Sequence, residues 1–257
     1  MNTFLERGES MYQGFASVYD YLMTDTPYDS WYELLLKLIK DYQVKGKDVL
    51  DLACGTGQMT HRLSKSGFKA MGVDLSSQML EQAQTKAFEQ ALKCRFINQD
   101  IRHLELFQQY DFIVSYCDGM NYMIEDEDLK GFLDSIHTYL KDEGYFFIEI
   151  SSYYKLSQVL KQNTFTEVNP DVAYIWDNNF DSTTHILDFD LTLFVDKNGL
   201  YERFDESHKQ RAFKQEDLKD LFRASGLDLM ELLDSDTGEQ VKETSERWLL
   251  VGRKINE

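Results

Sequence analysis

One stretch decides the fold of this 257-residue chain: Val49-Leu50-Asp51-Leu52-Ala53-Cys54-Gly55-Thr56-Gly57-Gln58-Met59-Thr60. It begins as a short apolar run, contains an acid, passes through a Gly-x-Gly turn and continues with helical spacing. This order predicts a buried strand, a tight loop around a ligand and the start of a helix. Because the glycines have no Cβ atom, the backbone N–H groups of the loop can approach a bound molecule closely.

Asp51 and Thr60 separate two classes of ligand for this loop. A dinucleotide site needs a small residue where Thr60 stands, because the helix and strand pack closely beneath the pyrophosphate. Asp51 would also place a negative charge beside that pyrophosphate. A ligand with an ammonium group, a carboxylate and no phosphate fits better, since Asp51 balances its cationic end and the loop amides receive its anionic end. S-adenosylmethionine is such a ligand.

Two further predicted strands also end in acids. Phe68 to Ser76 ends with Asp74, roughly 20 residues past the glycine loop, where a carboxylate suits two hydrogen bonds to ribose hydroxyls. Leu75 can lie against the adenine, and Ser76 has the chemistry of a helix N-cap. Asp100 follows a third strand and can accept a hydrogen bond from an exocyclic adenine amine. Three strand-terminal acids in succession are a specific signal, whereas one alone is weak.

These residues resemble the class I S-adenosylmethionine-dependent methyltransferases. The resemblance covers residues 12–150 and rests on 51–57, 72–76, 99–101, 111–114 and 144–148. It implies an α/β fold, a Rossmann-like, doubly wound, mostly parallel seven-stranded sheet with the cofactor across the carboxyl edges of the first strands. Residue by residue, it implies that the glycine loop holds the methionine end, Asp74 the ribose, and Asp100 with Ile101 the adenine. Asp51 would act near the amino group.

The predicted cofactor-binding residues are Asp51, Ala53, Cys54, Gly55, Gly57, Met59, Asp74, Leu75, Met79, Gln99, Asp100, Ile101 and Cys117. For catalysis we select Tyr19, Asp118 and His208; other candidates on the acceptor side are Tyr116, Cys117, Asn121, Tyr122 and Arg211. Cys117 and Asp118 follow the fourth strand, where the resemblance implies that the methyl group lies. Asp205 and Glu206 would favour the charged form of His208. Packing and turn formation are the competing roles for Cys117, Asp118 and Asn121, and a structural role competes for His208.

The net charge and the cysteine content limit the expected acceptor, metal content and cellular compartment of the protein. A net charge of −18 and a pI near 4.6 argue against nucleic acid as the acceptor, because a nucleic-acid backbone would be repelled. Three cysteines without metal-ligand spacing predict no metal site and suit a reducing compartment. The sequence lacks a transmembrane stretch and an apolar signal region, so we expect a cytoplasmic protein.

The pattern changes after Ile150, where strands with two-residue alternation replace the alternation of strands and helices. We predict an N-terminal helical cap at 1–42, including the aromatic residues Tyr12, Phe15 and Tyr19, and a cofactor-binding core at 43–151. An antiparallel β-insert at 152–213 follows, and a helix and two strands at 214–257 complete the core. The insert forms a lid over the acceptor or, alternatively, the interface of a homodimer.

These features together predict methyl transfer from S-adenosylmethionine to an oxygen or nitrogen atom of a small molecule. Three alternatives remain open at this point. They are methylation of tRNA or rRNA, a non-catalytic cofactor-binding role in assembly or regulation, and a nicotinamide dehydrogenase. Thr60 and Asp51 argue against the last of these.

Overall fold

The computed structural model describes residues 15–255, with side chains from Val18 onward. The first half of this range contains α1 (Phe15–Leu22), α2 (Tyr28–Asp41), β1 (Asp48–Leu52), α3 (Gln58–Lys65), β2 (Lys69–Asp74), α4 (Ser77–Glu89), β3 (Arg95–Asn98) and β4 (Tyr110–Ser115). A 3₁₀ turn (Gly119–Tyr122) leads into α5 (Asp126–Tyr139) and β5 (Leu140–Ser151). A π-helical turn (Lys155–Leu160) precedes β6 (Thr164–Val168), β7 (Val172–Asp181), β8 (Ile186–Lys197) and β9 (Leu200–Arg211). The rest is α6 (Gln215–Ala224), β10 (Leu227–Asp234) and β11 (Arg247–Lys254).

The larger sheet has seven strands in the order β10-β11-β5-β4-β1-β2-β3. The pairs β1–β2, β1–β4, β2–β3 and β4–β5 are parallel, whereas β11 runs antiparallel to both of its neighbours. The carboxyl ends of the parallel strands therefore meet at one edge, and the first residue of β11 lies at that same edge.

Both faces of this sheet are buried. Successive residues of a strand point to opposite sides, so neighbouring residues pack against different layers of helices. Val49 of β1 packs with Trp31 of α2 and Leu63 of α3, and the next residue, Leu50, packs on the other side with Phe132 of α5. Helices thus cover both faces, and the predicted α/β fold with a mostly parallel seven-stranded sheet is confirmed.

Strands β6 to β9 form a separate four-stranded antiparallel sheet in consecutive order. The apolar face of β8 carries the predicted alternation, and Leu191, Leu193 and Val195 pack with Val18 of α1. Asn198 and Gly199 adopt positive φ angles of 59° and 86° in the β8–β9 hairpin, as the Asp-Lys-Asn-Gly sequence predicts. The sequence did not predict β6, because its five residues are largely exposed and lack an apolar run.

In the part of the chain that the structure describes, no helix is long and apolar enough to cross a membrane.

Asn121 joins the turn after β4 to the rest of the fold. Its side chain has no exposed surface; its amide nitrogen donates to the carbonyl oxygens of Ser151 (3.1 Å) and Arg211 (2.9 Å). Its side-chain oxygen accepts from the Ser151 N–H at 3.0 Å. The sequence analysis placed Asn121 among the acceptor-side candidates. In the structure, all three of these side-chain hydrogen bonds are made with backbone groups of Ser151 and Arg211.

We therefore expect Asn121→Ala to lower the free energy of unfolding by about 2–4 kcal/mol, because it leaves buried backbone groups without partners. Urea denaturation followed by circular dichroism measures this difference. As a control, Asn169→Ala removes a partly exposed side chain that hydrogen bonds Glu167, and we expect a change within about 0.5 kcal/mol. Equal effects of the two substitutions would contradict the structural role of Asn121.

Candidate functional site

The loop after β1 has the backbone geometry that a small ligand needs. Ala53, Gly55 and Gly57 have φ angles of 54°, 53° and 81°, so the chain turns sharply between β1 and α3. The loop is braced by the Cys54 N–H, which donates to the carbonyl oxygen of Val73 at 3.0 Å. A Cβ atom added to Gly55 would meet no other atom within 4 Å. The loop therefore borders open space at its glycine, which fits the predicted methionine end of the cofactor.

Asp51 is a buried carboxylate beneath this loop. It is 2 % exposed, and the Thr60 hydroxyl donates to its Oδ2 at 2.5 Å. Burial raises its pKa to about 7, an effect that the Thr60 hydrogen bond opposes and the charge of Asp74 reinforces. In the sequence, Thr60 argued against a dinucleotide ligand. In the structure, its hydroxyl is the hydrogen-bond partner of the buried Asp51 carboxylate. A ligand ammonium nearby would restore the charged form of Asp51.

Asp74 closes the loop from β2. Its carboxylate accepts from the backbone N–H groups of Gly55 (2.7 Å) and Ser76 (2.9 Å). Burial raises its pKa, while these hydrogen bonds oppose the shift. Leu75 beside it is 41 % exposed, and Ser76 caps α4 by accepting from the Met79 N–H. The fixed carboxylate and the exposed apolar neighbour fit the predicted ribose and adenine positions.

The β3 end of the site has an ion pair that the sequence analysis missed. Asp100 accepts from the Arg102 backbone N–H at 3.0 Å and from its guanidinium Nε at 2.9 Å. Arg102 also donates to Asp128 at 2.7 Å. Burial opposes ionisation of Asp100, but the Arg102 hydrogen bonds hold its pKa below the usual value. The Gln99 side chain exchanges two hydrogen bonds with Glu105, and Ile101 is buried. Their contact with adenine stays a prediction.

Helix α1 is fastened to the glycine loop through Asp20. The Asp20 carboxylate accepts from the Thr56 hydroxyl (2.6 Å) and the Gln58 amide (3.2 Å), and it pairs with Lys86 of α4. Tyr19 hydrogen bonds Tyr28, and burial raises the pKa of the Tyr19 hydroxyl. This position brings Tyr19 to the same edge as the loop. Tyr12 lies outside the described residues, as does the side chain of Phe15.

Beyond β4, two residues hold a left-handed backbone: Cys117 with φ 61° and Asp118 with φ 70°. The Cys117 N–H donates to Glu149 at 2.8 Å, and its thiol donates to the Tyr28 hydroxyl at 3.4 Å. Arg247 bridges Asp118 (3.1 Å) and Glu149 (2.6 Å). We refer to Asp118, Glu149 and Arg247 as the ion cluster.

Burial and the charges within the ion cluster shift the pKa values of its two acids and of a neighbouring lysine. Burial raises the pKa of Glu149, although Arg247 opposes the shift. Burial also works against ionisation of Asp118, but the charge of Arg247 holds its pKa below the usual value. Lys155 adjoins the cluster, and burial together with the charge of Arg247 lowers its pKa. Gln210 of β9 also hydrogen bonds Asp118.

His208 lies on the inner face of β9 and is 5 % exposed. Its Nε2 is 3.2 Å from Glu206 Oε2, and its Nδ1 is 3.4 Å from the Tyr122 hydroxyl. The ring stacks on Phe189 with centroids 4.8 Å apart. Asp205, the other acid beside it in sequence, points outward and pairs with Arg203 instead. Of the two neighbouring acids, only Glu206 therefore contacts His208.

The remaining predicted residues have structural contacts. Met59 and Met79 lie buried on the inner faces of α3 and α4. Tyr116 stacks on Trp31, and Arg211 pairs with Asp126. The structure thus brings the glycine loop, Asp51 and Asp74 together, and it places Tyr19 and the ion cluster at the same edge of the sheet.

The sequence analysis missed Glu149, Arg247 and Lys155. A signal for the first was present: Glu149 interrupts the apolar run from Tyr145 to Ile150 in a predicted buried strand. A charge at such a position requires a partner. The partner itself, Arg247, lies 98 residues away in the chain, and its choice depends on the sheet order.

Comparison with known proteins identifies the family of this chain. A family profile described as a methyltransferase domain matches residues 49–144. A protein of Geobacillus sp. (strain WCH70) that is named as a methyltransferase is 36 % identical over 245 residues, which are 95 % of this chain and 99 % of that protein.

Two solved structures of methyltransferases have a fold similar to that of this chain. A crystal structure of an S-adenosylmethionine-dependent methyltransferase from Clostridium acetobutylicum ATCC 824 has a TM-score of 0.87 and 34 % identity, covering 95 % of this chain and 99 % of that one. The sugar N-methyltransferase KedS8 from Streptoalloteichus sp. ATCC 53650 has a TM-score of 0.75 and 18 % identity, with 93 % of each chain covered. The second similarity concerns the fold alone.

The raised pKa of Asp51 has a consequence for stability. A pKa near 7 in the folded chain and about 3.9 in the unfolded chain means that folding favours the protonated acid. Its stabilising contribution is complete below pH 4 and is lost as the pH rises towards 7. We expect Asp51→Asn to raise the free energy of unfolding at pH 8 by about 1–3 kcal/mol, with a smaller gain at pH 5.5.

Urea denaturation at the two pH values measures the effect. Asp48→Asn is the control, because Asp48 lies on the same strand with solvent access and pairs with Lys69 and Lys141. We expect that variant to show no gain at pH 8. A gain for Asp51→Asn that does not change with pH would contradict the interpretation.

Proposed function

Because the chain belongs to the S-adenosylmethionine-dependent methyltransferases, we propose that it transfers a methyl group to an oxygen or nitrogen atom of a small-molecule acceptor. The observation that carries the proposal is the enclosure of the edge that holds the Cys117–Asp118 turn. Helix α1 is fastened to the glycine loop on one side, and β9 places Glu206, His208 and Gln210 on the other. An enclosed, charged edge suits a small polar acceptor.

On the cofactor side, we assign the loop amides and Asp51 to the methionine end, and Asp74 to the ribose. The carboxylate of Asp74 is held by two backbone N–H groups, so it is fixed before a ligand arrives. Each carboxylate oxygen has a second lone pair that can accept a ribose hydroxyl. Leu75 supplies an exposed apolar side chain for the adenine face.

On the acceptor side, the residues have distinct tasks. When bound, S-adenosylmethionine supplies a methyl group that is already activated on a sulfonium, so the protein must orient the acceptor, exclude water and accept a proton. We assign Asp118 to positioning, because Arg247 and Ser151 both donate to its Oδ1. Tyr19 and His208 remain the candidates for contact with the acceptor.

We assign the β6–β9 sheet to a lid. Its apolar face packs on α1 of the same chain through Leu191, Leu193 and Val195. That face is therefore occupied within the chain, which favours a lid over a homodimer interface. The known sugar N-methyltransferase with the same fold is consistent with a small acceptor.

Isothermal titration calorimetry with S-adenosylmethionine and S-adenosylhomocysteine tests the cofactor assignment. We expect Asp74→Ala to weaken binding of both compounds by about 1–3 kcal/mol, because two ribose hydrogen bonds are lost. Asp74→Asn keeps one acceptor oxygen and should have a smaller effect. The control is Asp228→Ala in β10, an acid that pairs with Arg253; we expect it to leave the affinity unchanged.

Unchanged affinity in a folded Asp74→Ala variant would contradict the ribose assignment. Failure of the unsubstituted protein to bind either compound would contradict the proposed function as a whole.

A further inference from the structure

We propose that Arg102 is a positioning residue that makes the cofactor site selective for a 6-aminopurine, because it orients the carboxylate of Asp100 towards the exocyclic amine of the base. Asp128 of α5 holds Arg102 in place. This inference rests on the proposed function, since it concerns the nucleoside of the same cofactor. The sequence indicated the acid alone, and the structure adds the two residues that determine which of its lone pairs stays open.

Asp100 lies next to the residues that we assign to the ribose and the adenine. Asn98 ends β3 opposite Asp74, the last residue of β2. The amide nitrogen of Asn98 donates to the carbonyl oxygens of Asp74 (3.0 Å) and Leu75 (2.7 Å), so the two strand ends are tied together. Asp100 follows two residues beyond this tie, at the same carboxyl edge. A nucleoside whose ribose is held by Asp74 therefore extends its base towards Asp100.

The ion pair of Asp100 with Arg102 fixes the plane of the carboxylate. Nε of Arg102 lies 2.9 Å from Oδ1 and 3.0 Å from Oδ2 of Asp100, and Nη2 lies 2.5 Å from Oδ2. The backbone N–H of Arg102 donates to Oδ1 at 3.0 Å. A guanidinium is a planar fork whose donors match both oxygens of a carboxylate. The side chain and the backbone of one residue thus hold Asp100 in one orientation.

These contacts determine how much of the Asp100 carboxylate remains open to a ligand. An ionised carboxylate has about four lone-pair sites. Arg102 uses three of them, through its backbone N–H, through the Nε–H that both oxygens share, and through one N–H of Nη2. The site that remains can accept one N–H of an exocyclic amine. A base with hydrogen or a carbonyl oxygen in place of the amine has no donor for it.

Helix α5 fixes Arg102 through both its side chain and its backbone. Nη1 of Arg102 donates to Oδ1 of Asp128, in the first turn of α5, at 2.7 Å. A Cβ atom added to Gly131 would lie 2.8 Å from the carbonyl oxygen of Arg102, so the glycine allows the helix to approach the loop. Ile101 and Leu104, on either side of Arg102, are buried in the core. Arg102 is therefore in place before a cofactor arrives.

The charges of the three groups are consistent with this role. Their side chains are between 24 % and 27 % exposed. Burial opposes ionisation of Asp100, but the hydrogen bonds from Arg102 hold its pKa below the usual value. The hydrogen bonds to Asp100 raise the pKa of Arg102, although burial opposes that shift. Because an ionised acceptor forms the stronger hydrogen bond, Asp100 favours an amine and repels a carbonyl oxygen.

Calorimetry with two matched ligands tests the selectivity. The ligands are S-adenosylhomocysteine and its 6-deamino analogue, in which hydrogen replaces the exocyclic amine of the base. We expect the unsubstituted protein to bind the analogue about 10- to 100-fold more weakly, because one hydrogen bond to a charged acceptor is lost. The ratio of the two dissociation constants is the readout. Loss of a merely structural contact would weaken binding of both ligands alike and leave this ratio unchanged.

Substitution of Arg102 should lower the ratio. We expect Arg102→Met to bind S-adenosylhomocysteine more weakly and the analogue as before, so that the ratio falls below about threefold. Arg102→Lys keeps the charge but lacks the planar fork, and we expect its ratio to lie between those of Arg102→Met and the unsubstituted protein. Because the lysine can still pair with Asp100, this variant tests the role of Arg102 even if Arg102→Met does not fold.

The first turn of α5 offers a matched control. Asp128 pairs there with Arg102. Asp126, in the same turn, pairs with Arg211 of β9 instead. We expect Asp128→Asn to lower the ratio, because Arg102 loses a charged partner, and Asp126→Asn to leave the ratio unchanged. Equal ratios in these two variants would overturn the part assigned to Asp128.

The outcomes separate this inference from the proposed function. Equal affinity of the unsubstituted protein for the two ligands would overturn the selectivity. A ratio that stays unchanged in Arg102→Lys and in folded Arg102→Met would overturn the role of Arg102. In both cases the cofactor assignment stands. If the unsubstituted protein binds neither S-adenosylmethionine nor S-adenosylhomocysteine, the proposed function itself is refuted.

Discussion

Glu149 is a carboxylate with no exposed surface at the carboxyl edge of the larger sheet, and the acceptor side is organised around keeping it paired. An isolated buried carboxylate is costly, so its two oxygens need donors. Arg247 supplies one and the Cys117 N–H supplies the other. The same arginine holds Asp118, and the left-handed turn at 117–118 is thereby fixed. The turn in turn carries Asn121 and Tyr122 into position.

The acceptor side and the cofactor side of the carboxyl edge of the larger sheet differ in how their buried acids are paired. On the acceptor side, the buried acids have a cation in Arg247. On the cofactor side, Asp51 has a hydroxyl partner in Thr60, and no described cation pairs with it. Burial raises the pKa of Asp51 to about 7, whereas the charge of Arg247 holds the pKa of Asp118 below its usual value against the same effect of burial. A ligand ammonium beside Asp51 would complete the charge balance that Arg247 provides on the other side.

Sequence patterns could predict the parts of this architecture that depend on neighbouring residues. The strand, glycine loop and helix at 49–60, the hairpin at 196–199 and the apolar alternation of β8 all follow from local rules. Strand β6 could not be predicted, since its pairing with β7 alone defines it. The ion cluster and the contact of Tyr122 with His208 join residues 86 to 129 positions apart, so they require the sheet order as well.

The reversed direction of β11 also bears on the order in which the site is assembled. Because β11 is antiparallel to β5, its first residue, and not its last, meets Glu149 and Asp118. Glu149 consequently gains the guanidinium that donates to it only when the final strand of the sheet docks between β5 and β10. Until then, the edge of β5 holds an acid that is stable only in contact with water. Closure of the sheet and neutralisation of the acceptor side are therefore one event in the folding of this chain.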